Sequence, residues 1–309
     1  NVAIGYQSGY HLYDASQYNV YIGDAAGYCA RNNDYCIAIG YQTGYHMGRQ
    51  HPNVNSNQTF NATNNHIMIG YKAGYCMYSG DNNIFIGRQC GESIYSGSNN
   101  VCMGYNSGRG NNSYSNNTFI GTHAGGAVTG GQNTCVGSHA GQGVGGYSNS
   151  TCIGYYAGYH ARSRNTCVGN HAGYHCYGNY NTYLGDYAGY HATGGSHNVA
   201  VGYNAGYQTT GSNNVNIGHG AGYQTYGDYE NVNIGYHAGY GYSSSTCYYN
   251  VNIGSQAGRC VDNGLSNTNL GYYSGYHNYG GSYNINMGHY AGYNNRSGSY
   301  NIIMGYESG

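Results

Sequence analysis

Residues 1–9 read NVAIGYQSG, and the same pattern returns as NVAVGYNAG at residues 198–206 and as NVNIGYHAG at residues 231–239. The first glycine of the pattern occurs 18 times, ten of its 17 intervals are 17 residues long, and a second glycine always follows four residues later. A repeat at a fixed period of this size is typical of a solenoid. One such unit has too few apolar side chains to fold alone, so the units must stack on one another.

Each copy predicts one short strand just before its first glycine. The residue three before that glycine is always Val, Ile or Thr, and the residue one before it is always Ile, Val, Leu or Met. This alternation is typical of a half-buried strand. We therefore predict an all-β parallel β-solenoid of about 18 coils and about 17 residues per coil, as one domain over residues 1–309. The isoleucines next to the glycine are expected to point inward as a core ladder: Ile22, Ile39, Ile86, Ile120, Ile153, Ile217, Ile234 and Ile253.

The two glycines of each copy are expected to flank a tight corner that needs positive φ or close backbone approach. Clear examples are Gly5, Gly9, Gly202, Gly206, Gly235 and Gly239. Asn stands four residues before the first glycine in 15 of the 18 copies, the exceptions being Cys36, His66 and Ser150. Asn tolerates the left-handed region, and its amides can form a ladder when they are stacked at strand spacing.

One interval is much longer than the others. From Gly40 to Gly70 the spacing is 30 residues, which predicts a surface loop inserted at about 46–65. A receptor-contact or glycan-bearing loop and a tolerated insertion are both consistent with it. Six N-glycosylation sequons occur in the chain, at Asn57, Asn61, Asn111, Asn116, Asn149 and Asn295. Asn57 and Asn61 fall in this insertion, whereas Asn116 and Asn149 lie at coil corners beside a strand.

Cysteine is frequent but does not form a metal or redox motif. Eleven are present, and no Cys-x-x-Cys pair occurs. Cys135, Cys152 and Cys167 share one position in consecutive coils and predict a packed thiol ladder, because parallel Cβ vectors suit a disulfide poorly. Cys29 and Cys36 span one turn and are the better candidates for a disulfide.

A run of threonines and a column of aromatic residues mark two further positions. Thr118, Thr134, Thr151, Thr166 and Thr182 stand where other coils have Val or Ile, so an inward position is expected, although a flat Thr ladder is also typical of ice binding. Tyr recurs five residues after the first glycine, and His follows it at His160, His175 and His191. We expect the rings to stack on an exposed wall. No carboxylate accompanies the histidines, so neither a metal nor a cofactor is predicted.

Composition narrows the range of partners. Charged residues are 6% of the chain, with nine basic and ten acidic residues and no basic stripe, so no nucleic-acid partner is expected. No run of about 18 apolar residues exists, so no membrane span is expected. The chain begins and ends within the motif, so it is expected to be either a slice of a longer repeat protein or a subunit whose ends stack head to tail on its neighbours. In both cases a filament longer than one chain is expected.

The motif resembles two families of surface proteins. Its NVAIG core resembles the head repeats of trimeric autotransporter adhesins, and NTYLGDYAGY at residues 181–190 resembles the repeats of bacteriophage tail-fibre-like proteins. This resemblance covers nearly the whole chain. It implies a left-handed parallel β-roll, commonly homotrimeric, in an extended fibre outside the cell or on a virion or cell surface.

Three functions are compatible with these observations. The first is a structural, non-enzymatic segment of an extracellular fibre that self-associates, with surface glycans as further partners. The second is an adhesin or tail-fibre-type module that binds a glycan or receptor. The third, more remote, is a hexapeptide-type acyltransferase, because residues 4–9 match one hexapeptide while the rest of the coil does not. No catalytic residue is predicted, since no nucleophile elbow, phosphate loop or paired acidic site is present.

Overall fold

The computed structural model describes residues 1–12, 16–48, 63–110, 114–143, 148–241, 247–259 and 264–309. It contains two compact units, Asn1–Ile153 and Gly154–Gly309. Each unit contains three-residue strands that pair in parallel with the strands of the preceding and following coils. The predicted parallel β-solenoid is confirmed, with strands about 17 residues apart and no helix among the described residues. Most of the predicted insertion at about 46–65 lies outside the described residues, which resume at Thr63.

The first unit carries nine strands. They are β1 (Val2–Ile4), β2 (Val20–Ile22), β3 (Ile37–Ile39), β4 (Ile67–Ile69), β5 (Ile84–Ile86), β6 (Val101–Met103), β7 (Thr118–Ile120), β8 (Thr134–Val136) and β9 (Thr151–Ile153). Consecutive strands keep the same register, so that each motif position lies beside its equivalent in the next coil.

The second unit also carries nine strands in constant register. They are β10 (Thr166–Val168), β11 (Thr182–Leu184), β12 (Val199–Val201), β13 (Val215–Ile217), β14 (Val232–Ile234), β15 (Val251–Ile253), β16 (Thr268–Leu270), β17 (Ile285–Met287) and β18 (Ile302–Met304). On another wall of this unit, single bridges join Tyr229 to Tyr248 and Tyr248 to Leu265.

The prediction that the isoleucines point inward is wrong. In β2 to β17 the middle residue of each strand is buried, and its two neighbours are half-buried or exposed. Ile22, Ile39, Ile86, Ile234 and Ile253 are half-buried, while Ile120, Ile153 and Ile217 are 37–40% exposed. The expected alternation is therefore present with the opposite phase. The threonine prediction fails for the same reason, because Thr166 and Thr182 are exposed and Thr118, Thr134 and Thr151 are half-buried.

The interior is narrow, and the volumes of its side chains vary from coil to coil. The middle strand residue, a small residue three after the first glycine and the residue seven after it are buried together, as Tyr21, Ala26 and Ala30 are. Large and small residues exchange places between coils: Tyr183 shares a coil with Ala192, whereas Ala38 shares one with Met47. This exchange occurs in only some coils, since Phe85 and Ile94 share a coil and are both large and fully buried. Where it occurs, it limits the voids and overlaps that would be destabilising.

Asparagine side chains connect the coils, as expected for the column four residues before the first glycine. Asn83 Oδ1 accepts from the backbone N–H of Asn100 at 3.0 Å, and its Nδ2 donates to Gly97 O at 2.7 Å. Both bonds lead to the following coil. Buried amides normally need hydrogen-bond partners. An Asn at this position gives its own amide those partners and also accepts from one backbone N–H.

The corner glycines adopt the predicted conformations. In the coil of β14, Gly235 has φ 133° and Gly239 has φ 57°. A Cβ on Gly235 would lie 2.5 Å from Gly254 O, and one on Gly239 would lie 1.9 Å from the buried amide oxygen of Asn233. Positive φ is shared by Gly5, Gly9, Gly202 and Gly206. The first glycine thus permits close contact between coils, and the second makes room for the core.

Candidate functional surface

The clearest chemical feature of the surface is a column of stacked tyrosines five residues after the first glycine. In the first unit, Tyr10, Tyr28, Tyr45 and Tyr75 stack with centroid separations of 4.7–5.4 Å and interplanar angles of 6–19°. The second glycine, which has left-handed φ, directly precedes each of them. The constant strand register then brings equivalent rings of successive coils over one another. The predicted stacking is confirmed.

The second unit has a column at the same motif position in nine coils. Its members are Tyr159, Tyr174, Tyr190, Tyr207, Tyr223, Tyr240, Arg259, Tyr276 and Tyr293. Adjacent tyrosines are 5.0–5.2 Å apart between ring centroids. The Arg259 guanidinium lies 5.1 Å from the ring of Tyr240 and 5.7 Å from that of Tyr276. A guanidinium is planar and attracted to ring faces, so it continues the stack where a tyrosine is missing. We name this set the tyrosine column.

Sequence reasoning missed the charged members of this column. Arg259 stands five residues after Gly254 and could have been found by aligning the repeats by position. In the first unit, Glu92 and Arg109 occupy the same position in adjacent coils, and Arg109 Nε lies 2.9 Å from Glu92 Oε2. Arg109 is about half exposed, so this ion pair contributes little stability. Its effect is to replace ring stacking with a local charge contact.

Three histidines form a second stack beside the tyrosine column. His160 and His175 have centroids 5.3 Å apart, and His175 and His191 have centroids 5.2 Å apart, with interplanar angles of 5° and 14°. This predicted stack is also confirmed. Partial burial lowers the pKa of His175, and the neighbouring imidazoles of His160 and His191 lower it further. His175 is therefore favoured in its neutral form.

The tyrosine column presents ring edges to its surroundings. Tyr174 is half-buried because Tyr159 and Tyr190 cover its two faces. Partial burial raises the pKa of its phenol, and the neighbouring phenols raise it further, so the hydroxyl stays protonated at neutral pH. The column therefore carries a row of phenol hydroxyls, one in each coil that has a tyrosine at this position, and these can donate and accept hydrogen bonds.

The other predicted sites are dispersed over the fold. Asn116 and Asn149 are exposed at coil corners with φ 61° and 57°, and Asn295 is partly exposed. Asn57, Asn61 and Asn111 lie outside the described residues. The structure shows where three of these sequons lie; their glycosylation stays a prediction.

The structure contains no disulfide between Cys29 and Cys36, which are both buried thiols. Cys36 instead donates from Sγ to the carbonyl oxygen of Thr63 at 3.4 Å. Cys135 and Cys152 are register partners in β8 and β9 and are fully buried, as is Cys167 in β10, so the predicted thiol packing is borne out within the first unit. Among the described residues, no group of three or more His, Cys, Asp or Glu side chains is placed to hold a metal ion.

Comparison with protein-family models, with curated proteins and with solved structures finds no match to this chain. The described part of the chain also contains no helix that is long and apolar enough to cross a membrane. What is established is the architecture: a tandem-repeat parallel β-solenoid with a tyrosine-rich surface.

Proposed function

We propose that the protein is a structural, non-enzymatic segment of an extracellular fibre. The observation that carries this proposal is that neighbouring coils within each unit make the same kinds of contact at almost every step. In the second unit, Asn252 Nδ2 donates to Asn233 Oδ1 at 2.8 Å, and Asn269 Nδ2 donates to Asn252 Oδ1 at 2.7 Å. A repeat joined in this way extends along one direction without requiring a new kind of interface.

The chemistry of the side chains supports a location outside the cell. Of the ten described cysteines, nine are buried and only Cys76 is partly accessible, which shields the thiols from an oxidising medium. The whole chain has only nine lysines and arginines, so it offers few sites to proteases that cleave after basic residues. The resemblance of the repeat to adhesin head and tail-fibre repeats supports the same proposal.

Electron microscopy and sedimentation of the full chain test this function. We expect fibres of uniform width that are much longer than one chain and that resist trypsin while native. A discrete particle with the mass of one chain at every concentration would contradict the proposal. Rapid cleavage of the native protein at its arginines would contradict the protease-resistant character assigned to it.

A second function, recognition of a glycan or another polar chain, is favoured by one specific observation. The tyrosine column offers a hydroxyl row with a period of about 4.8 Å, the spacing between strands. Because the ring faces are covered, this surface favours hydrogen bonding along a polymer over stacking of sugars on rings. Binding to a glycan array should fall when Tyr174, Tyr190 and Tyr207 are changed to Phe, which keeps the stack and removes the hydroxyls. Tyr180→Phe, at an exposed corner, is the control.

A further inference from the structure

The strands of the second unit carry an inverted distribution of polarity. In β13 to β17 the buried middle residue is asparagine: Asn216, Asn233, Asn252, Asn269 and Asn286. The residues on either side of it, which face outward, are Val, Ile, Thr, Leu or Met. A buried polar column beside an exposed apolar one is informative, because folding in water alone favours the reverse arrangement.

We name the first and third residues of β12 to β17 the outer strip. None of its twelve residues is buried in the isolated chain, and Ile217, Leu270, Ile285 and Met287 are 36–39% exposed. The strip contains no charged residue and no amide, although asparagine is abundant elsewhere in every coil. The same two positions are aliphatic or Thr in every strand of the second unit.

The area of this face is that of an interaction patch. The six three-residue strands of the strip cover about 290 Å² in projection at about 4.8 Å spacing, and all nine strands of the unit cover about 430 Å², which is the size of the apolar patches that are often functional. Two residues beyond the strip, half-exposed tyrosines such as Tyr203, Tyr236 and Tyr272 extend it. These rings enlarge the apolar area that a partner can cover.

We propose that the outer strip packs face to face against the outer strip of a second copy of this chain. The spacing of the strands favours this partner. Only another solenoid with the same coil spacing can place its side chains between those of the strip along its whole length. An uncharged face also provides no electrostatic complement for a different partner. The arrangement is isologous, with two sheets packed about 10 Å apart. It deepens the proposed fibre by naming the surface through which fibres associate laterally.

The chain itself supplies a conservative test variant. β16 has Thr268 where β13, β14 and β15 have Val215, Val232 and Val251, so threonine is compatible with the fold at this position. Replacing those three valines by threonine keeps side-chain shape and β propensity and reduces the apolar area. Sedimentation velocity over a concentration series should show lateral association weakened at least tenfold. Thr268→Val should change it in the opposite direction.

A triple control places its substitutions at the coil corners that precede the strands. Tyr180, Tyr249 and Tyr283 are 49–58% exposed at the corner position that Ser266 occupies in its coil, so each can be changed to Ser. This control should leave lateral association unchanged. Equal effects of the two triple variants, or no effect of the valine variant, would overturn the inference.

Microscopy separates this inference from the proposed function. Paired solenoids in contact through their sheets support both. Fibres of single width at all concentrations overturn lateral packing and leave the fibre proposal intact. Short particles containing two laterally paired chains support the outer strip and refute the fibre, whereas monomers alone refute both.

Discussion

Acidification should destabilise the first unit through one buried imidazole. His66 occupies the position that is asparagine in most coils, and it reproduces both asparagine contacts. Its Nδ1 accepts from the backbone N–H of Asn83 at 3.2 Å, so the proton is on Nε2, which lies 3.0 Å from Gly80 O and donates to it. A second proton on Nδ1 would remove the acceptor that Asn83 uses. Burial accordingly lowers the pKa of His66 from 6.5 to about 4.

The sign and size of the effect follow from this shift. The unfolded chain takes up the proton first as pH falls, so the stabilisation is fully present above about pH 6.5 and is lost toward pH 4. With a difference of 2.5 between the two pKa values, the free energy of unfolding falls by about 2 kcal/mol at pH 5 and about 3 kcal/mol at pH 4. His66→Asn restores the common residue and should remove this part of the pH dependence.

Chemical denaturation of the parent and of His66→Asn at pH 7, 5 and 4 isolates the contribution of His66 to the free energy of unfolding, because all other titrating groups are common to the two proteins. The protection factor of the Asn83 amide against hydrogen exchange in the native protein, which corrects for the slower intrinsic exchange at low pH, should fall on acidification more in the parent than in the variant. His197→Asn is the matched control, since His197 is exposed at a corner where other coils have Asn. Identical pH dependence of the parent and His66→Asn would refute the reasoning.

Three further predictions concern other buried positions. Burial raises the pKa of Asp228 to about 7, although the N–H that Cys247 donates to its carboxylate acts in the opposite direction. The contribution of Asp228 to the free energy of unfolding is therefore fully present below about pH 4 and is lost as pH rises through 7. Asp228→Asn should increase the free energy of unfolding at pH 8 by about 3–4 kcal/mol and leave it unchanged at pH 3. Gly87→Ala should cost more than about 3 kcal/mol in denaturation, because φ is +137° and the new Cβ would lie 2.5 Å from Gly104 O. Asn252→Leu should cost about 2–4 kcal/mol, since it leaves Oδ1 of Asn233 and Nδ2 of Asn269 without their partner. An unchanged unfolding midpoint in either of the last two variants would contradict the assigned contacts.

The fold could be predicted from the repeat, but the inward face of the strand could not. Positions that are aliphatic in every repeat usually mark a core, and this rule predicts that Ile153 and its equivalents lie inside the solenoid. The interior is instead lined by the variable position, which ranges from Ala38 to Tyr183. In some coils another buried residue varies in the opposite sense, as Ala192 does in the coil of Tyr183. The strand positions that are aliphatic or Thr in every repeat therefore lie on the outer face.

The surface columns were predictable where one residue type repeats. Stacking of tyrosines such as Tyr174 and Tyr190 follows from constant register and could be deduced from spacing alone. The corner conformation two residues after the first glycine was not deduced, because the residue there varies freely. His237, for example, has φ 51° without being glycine. Its N–H donates to His219 O in the preceding coil at 2.9 Å, so pairing between coils imposes a backbone conformation that local sequence disfavours.

The pairing of a large and a small buried residue within a single coil has a genetic consequence. Tyr21 and Ala30 are both fully buried and belong to the same repeat. A duplication or deletion of one whole repeat therefore moves a large residue and its small counterpart together, and the flanking repeats meet equivalent backbone partners again. Unequal recombination within the coding sequence can change the length of this protein while preserving its packing. Changes of one or two residues within a repeat receive no such protection.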